Sequence, residues 1–173
     1  MTTASRPVAP DPIGASAAAG VAQFARLLVP TDFSPASRAA LALALGLADQ
    51  CGSEVVLFNA IGDDGNDEFL NHTGVPWGRG DVVDEAIEHL RRFADAVAPG
   101  ASARVRVEAV RDGDPVRAIA GACDRLAPLL VVLGAPARPR RWRRSRSERL
   151  LRALSCSVLV VRGEPEPRVD ADT

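Results

Sequence analysis

Lysine is absent from the 173-residue chain, and all 21 of its cationic side chains are arginines. A lysine nucleophile or a lysine Schiff base is therefore excluded. Cysteine and histidine are also scarce, with three and two residues, and Cys51, Cys123 and Cys156 form no CxxC pair. These numbers and spacings argue against a disulfide framework and against a metal site.

Long hydrophobic runs are missing as well. The longest small and apolar stretch, residues 39–48, has about ten residues, which is too few to span a bilayer. The N-terminus lacks the charged start and compact apolar segment of a secretory signal. With a net charge of −1, a general attraction to nucleic acid or anionic membrane is not expected. We therefore expect a cytoplasmic protein without a membrane partner.

The composition is that of a globular protein, with 47% hydrophobic and 25% charged residues. Residues 1–23 are rich in Ala, Pro and Ser and lack apolar periodicity, so they are predicted to be a disordered extension. Residues 163–173 are predicted to be a disordered tail. One folded domain is expected between them, at 24–162.

Short apolar runs alternate with segments of helical spacing along this domain. Strict alternation of charged and apolar residues over 104–110 predicts a strand at a sheet edge with one solvated face. Strands separated by helices need crossover connections, so we expect an α/β fold with a doubly wound parallel sheet. The predicted strands are 25–30, 54–60, 104–110, 129–133 and 157–161, and the predicted helices begin near Pro35, Asp81, Pro115 and Glu148.

A ligand site is predicted from this architecture alone. In open α/β sheets, ligands bind beyond the carboxyl ends of the strands, where the strand order reverses. Here that position corresponds to the ends of the first and fourth strands, at Pro30 to Asp32 and at Leu133 and Gly134.

Five short motifs occur in a characteristic order along the chain. They are LVPTDFS at 28–34, GDP at 113–115, VVLG at 131–134, ERLL at 148–151 and SCSVLVVR at 155–162. Together they resemble the universal stress protein family over about residues 24–162. The resemblance implies a Rossmann-like sandwich around a five-stranded parallel sheet of order 3-2-1-4-5. It also implies a homodimer formed through the last strand, by Val158, Leu159, Val160 and Val161.

Many members of this family bind ATP, with Mg²⁺, through a loop of pattern G-x2-G-x9-G-[S/T] after the fourth strand. In this chain only Gly134 matches a loop glycine, and Ala137 stands at the second position. When Glu148 and Arg149 are aligned with the Glu-Arg that follows the loop in the family, Arg144 and Ser145 align with the final Gly-Ser, and the loop is about three residues shorter than the pattern. The nucleotide-binding residues that the resemblance implies are Pro30, Thr31, Asp32, Ala60, Gly113, Leu133, Gly134, Arg144 and Ser145. For Asp32, capping of the turn into the first helix is an equal alternative.

Loop glycines matter because they let backbone amides approach a phosphate closely. Losing two of them weakens binding by roughly two to four orders of magnitude. We therefore expect no cofactor and no typical ATP binding. Binding of ATP as a switch for partner affinity is retained as the alternative, and weak nucleotide hydrolysis as a second one.

Arginines are concentrated between residues 138 and 149, where seven of them accompany one glutamate. Arg138, Arg140, Arg141 and Arg143 form a candidate patch for phosphate or for an acidic protein partner. A solvated loop is the simpler interpretation. Nucleic acid is not expected, since Trp142 is the only interleaved aromatic residue and no recognition motif is present.

No catalytic constellation can be identified in the sequence, so we do not expect an enzyme. Ser145 or Ser147 is predicted to cap the last helix. Cys123 and Cys156 are expected to be inert core thiols, and His89 is expected to be exposed. The function predicted from the sequence is a universal-stress-type regulator of stress adaptation that acts as a dimeric interaction module with a protein partner.

Overall fold

A computed structural model describes residues 26–62, 82–128, 130–135 and 144–163, and in 144–148 it describes the backbone only. The predicted extension at 1–23 and the residues after Gly163 lie outside this set. The strands are β1 (Arg26–Pro30), β2 (Glu54–Ile61), β3 (Val105–Arg111), β4 (Leu130–Ala135) and β5 (Ser157–Arg162). The helices are α1 (Pro35–Cys51), α2 (Val82–Val97), α3 (Pro115–Leu126) and α4 (Arg144–Ala153), with a 3₁₀ turn at Ala101–Ala103.

The strands form one parallel sheet of order β3-β2-β1-β4-β5. This result confirms the predicted doubly wound α/β fold and its strand order. It also confirms the edge position predicted for β3. The opposite edge of the sheet is β5.

Two hydrophobic layers cover the two faces of the sheet. Because successive side chains of a strand point to opposite faces, Leu57 of β2 packs in the layer formed with α1 and α2. Its neighbours Val56 and Phe58 pack in the other layer, with α3 and Leu150 of α4. Strands β1 and β2 are therefore buried on both faces, as their continuous apolar sequences require.

Helix α1 begins with a side-chain cap and ends at a glycine. The Oγ of Ser34 accepts a hydrogen bond from the backbone N–H of Ser37 at 3.2 Å, and Pro35 occupies the first turn. Gly52 closes the helix with a left-handed φ of 65°. The beginning at Pro35 agrees with the start predicted from the sequence.

The start of the last helix differs from the prediction. Helix α4 begins at Arg144, four residues before Glu148, so Ser145 and Ser147 lie inside the helix instead of capping it. Arginine is a good helix former and no proline interrupts 144–148, so the helix continues backward through residues that could otherwise have capped it.

Candidate functional site

The strand order reverses between β1 and β4, and the two strands part there. Strand β1 pairs with β2 from Arg26 to Pro30. With β4, by contrast, the pairing covers only Leu27 and Leu28. The carboxyl end of β1 is thereby separated from that of β4. Of the residues predicted for the site, Pro30, Thr31 and Asp32 therefore lie at the end of β1, and Leu133 and Gly134 lie in β4 beyond its pairing with β1.

Asp32 holds the first turn of α1. Its Oδ1 accepts hydrogen bonds from the backbone N–H of Ser34 at 3.1 Å and from the Ser37 hydroxyl at 2.5 Å. The backbone N–H of Asp32 donates in turn to Ser37 Oγ at 3.3 Å. Asp32 is only 9% exposed. The carboxylate therefore performs the capping role that was the alternative to ribose binding.

Thr31 is buried, and both its backbone and its hydroxyl form hydrogen bonds. Its N–H donates to the carbonyl of Phe58 at 2.9 Å, and its Oγ1 accepts from the N–H of Phe33 at 2.9 Å. Its carbonyl accepts from Asn59 Nδ2 at 2.9 Å. Asn59 is fully buried, and its Oδ1 has no hydrogen-bond partner among the described residues. Sequence analysis missed Asn59, although a polar residue inside the apolar run 55–61 was a signal.

Phe33 turns the chain from β1 into α1. Its φ of 61° lies in the left-handed region, which is costly for a residue with a bulky side chain. Aromatic packing offsets this cost, because its ring lies 4.7 Å from that of His89 and 5.5 Å from that of Phe93. Burial, followed by the charge of Arg92, lowers the pKa of His89. His89 is thus half-buried in an aromatic contact, and the prediction that it is exposed is wrong.

Gly134 lies inside β4, where it pairs with Val161, and it is in close contact with the start of α1. A Cβ atom added to Gly134 would lie 2.4 Å from the carbonyl carbon of Ala36 and 2.5 Å from the nitrogen of Ser37. A Cβ on Gly163 would lie 2.8 Å from Cα of Ala36. Both glycines therefore make room for the backbone of α1, a role independent of any phosphate.

Two further predicted residues lie at the carboxyl ends of β2 and β3. Ala60 is buried and pairs with Val110 in the sheet, and Gly113 follows β3. The residue after Gly113, Asp114, caps α3 by accepting from the N–H of Val116 at 3.0 Å. Its other carboxylate oxygen accepts from the guanidinium of Arg149 at 2.8 Å. One arginine of the cluster predicted at 138–149 is therefore paired with an acidic residue of this domain.

The rest of the arginine cluster lies outside the described side chains. Arg138, Arg140, Arg141 and Arg143 are not among the described residues, so their arrangement stays a prediction. The backbone of Arg144 and Ser145 forms the first turn of α4.

Strand β5 lies at one edge of the sheet. Val160 is 46% exposed, and Val158, Leu159 and Val161 are half-buried. Val158 packs against the layer under α3, whereas Leu159 and Val161 pack against the layer under α1. The structure thus confirms β5 as an edge strand, while its part in a dimer stays a prediction.

Two cysteines that the sequence placed separately are brought together. The Sγ atoms of Cys123 and Cys156 lie 3.9 Å apart, although the residues are 33 positions apart in the chain. Nothing in the spacing indicated this contact, because it depends on how α3 packs beside β5. Within the described parts of the chain, no group of three or more His, Cys, Asp or Glu side chains is arranged to hold a metal ion.

Comparison with known proteins identifies the fold family. The model of the Universal stress protein family matches residues 23–162. The chain belongs to this family. No curated protein sequence matches it. Among the helices of the described residues, none has the length and apolar character needed to cross a membrane.

Solved structures of universal stress proteins share this fold. One from Burkholderia pseudomallei is 24% identical, with 80% of this chain and 96% of that chain covered and a TM-score of 0.54. UspA from Lactobacillus plantarum is 19% identical, with 80% and 98% covered and a TM-score of 0.57. A universal stress protein in complex with cAMP is 19% identical, with 82% and 98% covered and a TM-score of 0.57.

Proposed function

We propose that this universal stress protein acts in stress adaptation as a homodimeric interaction module, without the ATP binding typical of many relatives. Membership of the family supports the stress-adaptation role. Universal stress proteins are generally not enzymes and are often dimers.

The observation that carries the proposal is the engagement of Asp32 and Gly134 by α1. One oxygen of Asp32 accepts two hydrogen bonds from the first turn of α1, and the carboxylate is largely buried. Gly134 faces the backbone of Ala36 and Ser37 at distances that exclude even a methyl group. Both belong to the residues that the family resemblance implies in nucleotide binding. Both have a structural role that explains their presence without a nucleotide.

The other two glycine positions of the family's phosphate loop also argue against tight ATP binding. Ala137 and Arg144 stand where the family pattern has glycines. A side chain at such a position keeps the backbone amides away from the phosphate and raises the cost of a left-handed φ by about 1–2 kcal/mol. We therefore expect affinity for ATP to lie in the millimolar range or weaker.

Calorimetric titration of ATP with Mg²⁺ into the nucleotide-free protein tests this proposal. No heat of binding is expected up to millimolar ATP. Asp32→Asn is the matched variant, because it removes the charge while an amide oxygen still accepts from the N–H of Ser34. Micromolar binding that is lost in Asp32→Asn would refute the proposal. Phosphate release measured on the same samples would reveal hydrolysis.

A nucleotide-gated switch is the second candidate function. It is favoured by the early end of the pairing between β1 and β4, at the position where such folds hold ligands. A structural neighbour with the same fold was solved in complex with cAMP. Titration with cAMP, in parallel with ATP, separates the two candidates, because binding of either nucleotide at micromolar concentration supports the switch.

The homodimer is proposed to form through β5. An apolar edge strand with free backbone groups is a template for pairing with a second copy, and Val160 is 46% exposed there. Sedimentation velocity should show a dimer for the native protein and a monomer for Val160→Arg. Gly121→Arg is the control, since it places the same charge on the exposed side of α3, where nothing lies within 4 Å. A dimer that survives Val160→Arg would contradict this interface.

The arginine patch is proposed to bind an acidic protein partner. Guanidinium groups bind carboxylates and phosphates in a bidentate manner. Replacement of Arg138, Arg140, Arg141 and Arg143 by Gln should abolish binding of a polyglutamate probe, measured by calorimetry at low salt. Binding of inorganic polyphosphate but not of polyglutamate would favour phosphate as the ligand. Binding that is unchanged in the Gln variant would contradict the assignment of this patch.

A further inference from the structure

Cys123 and Cys156 face each other at the end of the sheet opposite the candidate nucleotide site. Cys123 lies in the last turn of α3, and Cys156 lies in the bend just before β5. Because all strands are parallel, the beginning of β5 is at the amino edge of the sheet. Their Sγ atoms are 3.9 Å apart, and both cysteines are free thiols.

The geometry permits a disulfide with small movements. The sulfur atoms of a disulfide lie about 2.05 Å apart, so the two thiols must approach by roughly 2 Å. Cys156 is in a bend and not in a regular element, which allows rotation of its side chain without loss of helix or sheet hydrogen bonds. Cys123 is held in the buried layer beneath α3, so we expect the side chain of Cys156 to make this movement.

The two thiols differ in their access to solvent. Cys123 is 4% exposed, whereas Cys156 is half-buried. Both line an open cleft of about 430 Å³ whose other walls are Asp124, Ala127, Pro128, Ser155 and Ser157. Burial, followed by the neighbouring Cys156, raises the pKa of Cys123 to about 12. Cys123 is therefore a thiol at neutral pH, and Cys156 is the group that a small oxidant meets first.

We infer that Cys123 and Cys156 form a peroxide-sensitive site, at which hydrogen peroxide converts the two thiols into an intramolecular disulfide. In the first step the thiolate of Cys156 attacks one peroxide oxygen. A sulfur–oxygen bond forms, the oxygen–oxygen bond breaks, and hydroxide leaves. Cys156 becomes a sulfenic acid and the peroxide is reduced.

In the second step Cys123 attacks the sulfenic sulfur of Cys156. The sulfur–sulfur bond forms, the sulfur–oxygen bond breaks, and the departing hydroxide takes the thiol proton of Cys123 to give water. The hydroxide released in the first step takes up the proton that Cys156 lost on ionisation and becomes water. The sum is two thiols and one hydrogen peroxide giving one disulfide and two molecules of water. The product fastens the start of the edge strand β5 to α3.

Peptide mapping of the full-length chain tests the inference. The reduced protein is treated with hydrogen peroxide, alkylated and digested with trypsin. Cleavage after arginine places Cys123 in peptide 118–125, Cys156 in 153–162 and Cys51 in 39–79. We expect a disulfide joining 118–125 to 153–162, a fall in free thiols from three to one, and recovery of three on reduction with dithiothreitol.

Variants separate the roles of the two thiols. Cys123→Ala should form no disulfide and should leave Cys156 as a sulfenic acid, detected as an adduct with dimedone. Cys51→Ser is the matched control and should form the disulfide as the native protein does. The inference is overturned if peroxide leaves all three thiols reduced, if Cys51 reacts first, or if the disulfides join different molecules. The mapping of the native chain decides the matter even where a variant does not fold.

Discussion

Replacement of Gly134 by alanine is the most direct test of how this fold is built. The added Cβ would lie 2.4 Å from the carbonyl carbon of Ala36 and 2.5 Å from the nitrogen of Ser37. Real Cβ contacts essentially never fall under 3.0 Å. The two backbones must therefore separate by roughly 0.5–1 Å, either by bending β4 or by displacing the first turn of α1.

The magnitude follows from the atoms that would clash. Overpacking among side chains costs about 1–3 kcal/mol, because side chains can rotate away. Here the opposing atoms belong to the backbone, and Asp32 and Ser34 fix them in place by capping hydrogen bonds. We expect Gly134→Ala to lower the free energy of unfolding by about 3 kcal/mol or more. For a domain of this size such a loss lowers Tm by roughly 10 °C.

The assay is urea unfolding followed by circular dichroism, with two glycine controls. Gly46 in α1 and Gly121 in α3 have nothing within 4 Å of an added Cβ. Alanine at an open helical position raises stability by about 0.5–1 kcal/mol. Gly134→Ala should therefore lower the free energy of unfolding, whereas Gly46→Ala and Gly121→Ala should raise it. A Gly134→Ala protein as stable as the controls would refute the packing role and leave Gly134 available for a ligand.

Three other measurements test particular contacts. His89 has its pKa lowered from 6.5 by burial, so its neutral form is favoured in the folded state. The stability that His89 contributes is present above about pH 6.5 and should be lost as the pH falls through its lowered pKa. When the urea midpoint is plotted against pH, His89→Phe should remove the decrease in this pH range. Ser37→Ala removes the hydroxyl that donates to Asp32 and should cost about 1.5–3 kcal/mol in urea unfolding, whereas an unchanged midpoint would contradict the capping network. A disulfide between Cys123 and Cys156 would close a loop between residues 33 positions apart, which restricts the unfolded chain. Oxidation should therefore raise Tm on the order of 10 °C over the reduced protein. A lower Tm after oxidation would show that the bond strains the folded structure.

Sequence patterns predicted the helices, the strands and the α/β class because their determinants are local, whereas the strand order was implied by the family resemblance. Continuous apolar runs marked β1 and β2 as buried on both faces, and the charged alternation at 104–110 marked β3 as an edge. Ser34 with Pro35, and Asp114 with Pro115, marked the beginnings of α1 and α3. Such signals depend on neighbours within a few residues, so they can be read without knowing the three-dimensional structure.

The features that sequence reasoning missed depend on contacts between distant segments. Gly134 looked like a remnant of a phosphate loop, because the approach of α1 to β4 is invisible in the sequence. The contact between Cys123 and Cys156 and the packing of His89 against Phe33 are long-range contacts of the same kind. The start of α4 was misplaced for a local reason, since serine is both a good cap and tolerated within a helix.

The contact of Ala36 with Gly134 and Gly163 has a consequence for synthesis on the ribosome. Ala36 belongs to the first helix, whereas the two glycines lie in β4 and just after β5. The backbone N–H of Gly163 also donates to the carbonyl of Ala135 at 2.9 Å, which ties these two late segments together. When only β1, α1 and β2 of a nascent chain have left the ribosome, α1 therefore lacks its packing contacts with Gly134 and Gly163. Completion of the domain has to wait until the segment through Gly163 has left the exit tunnel.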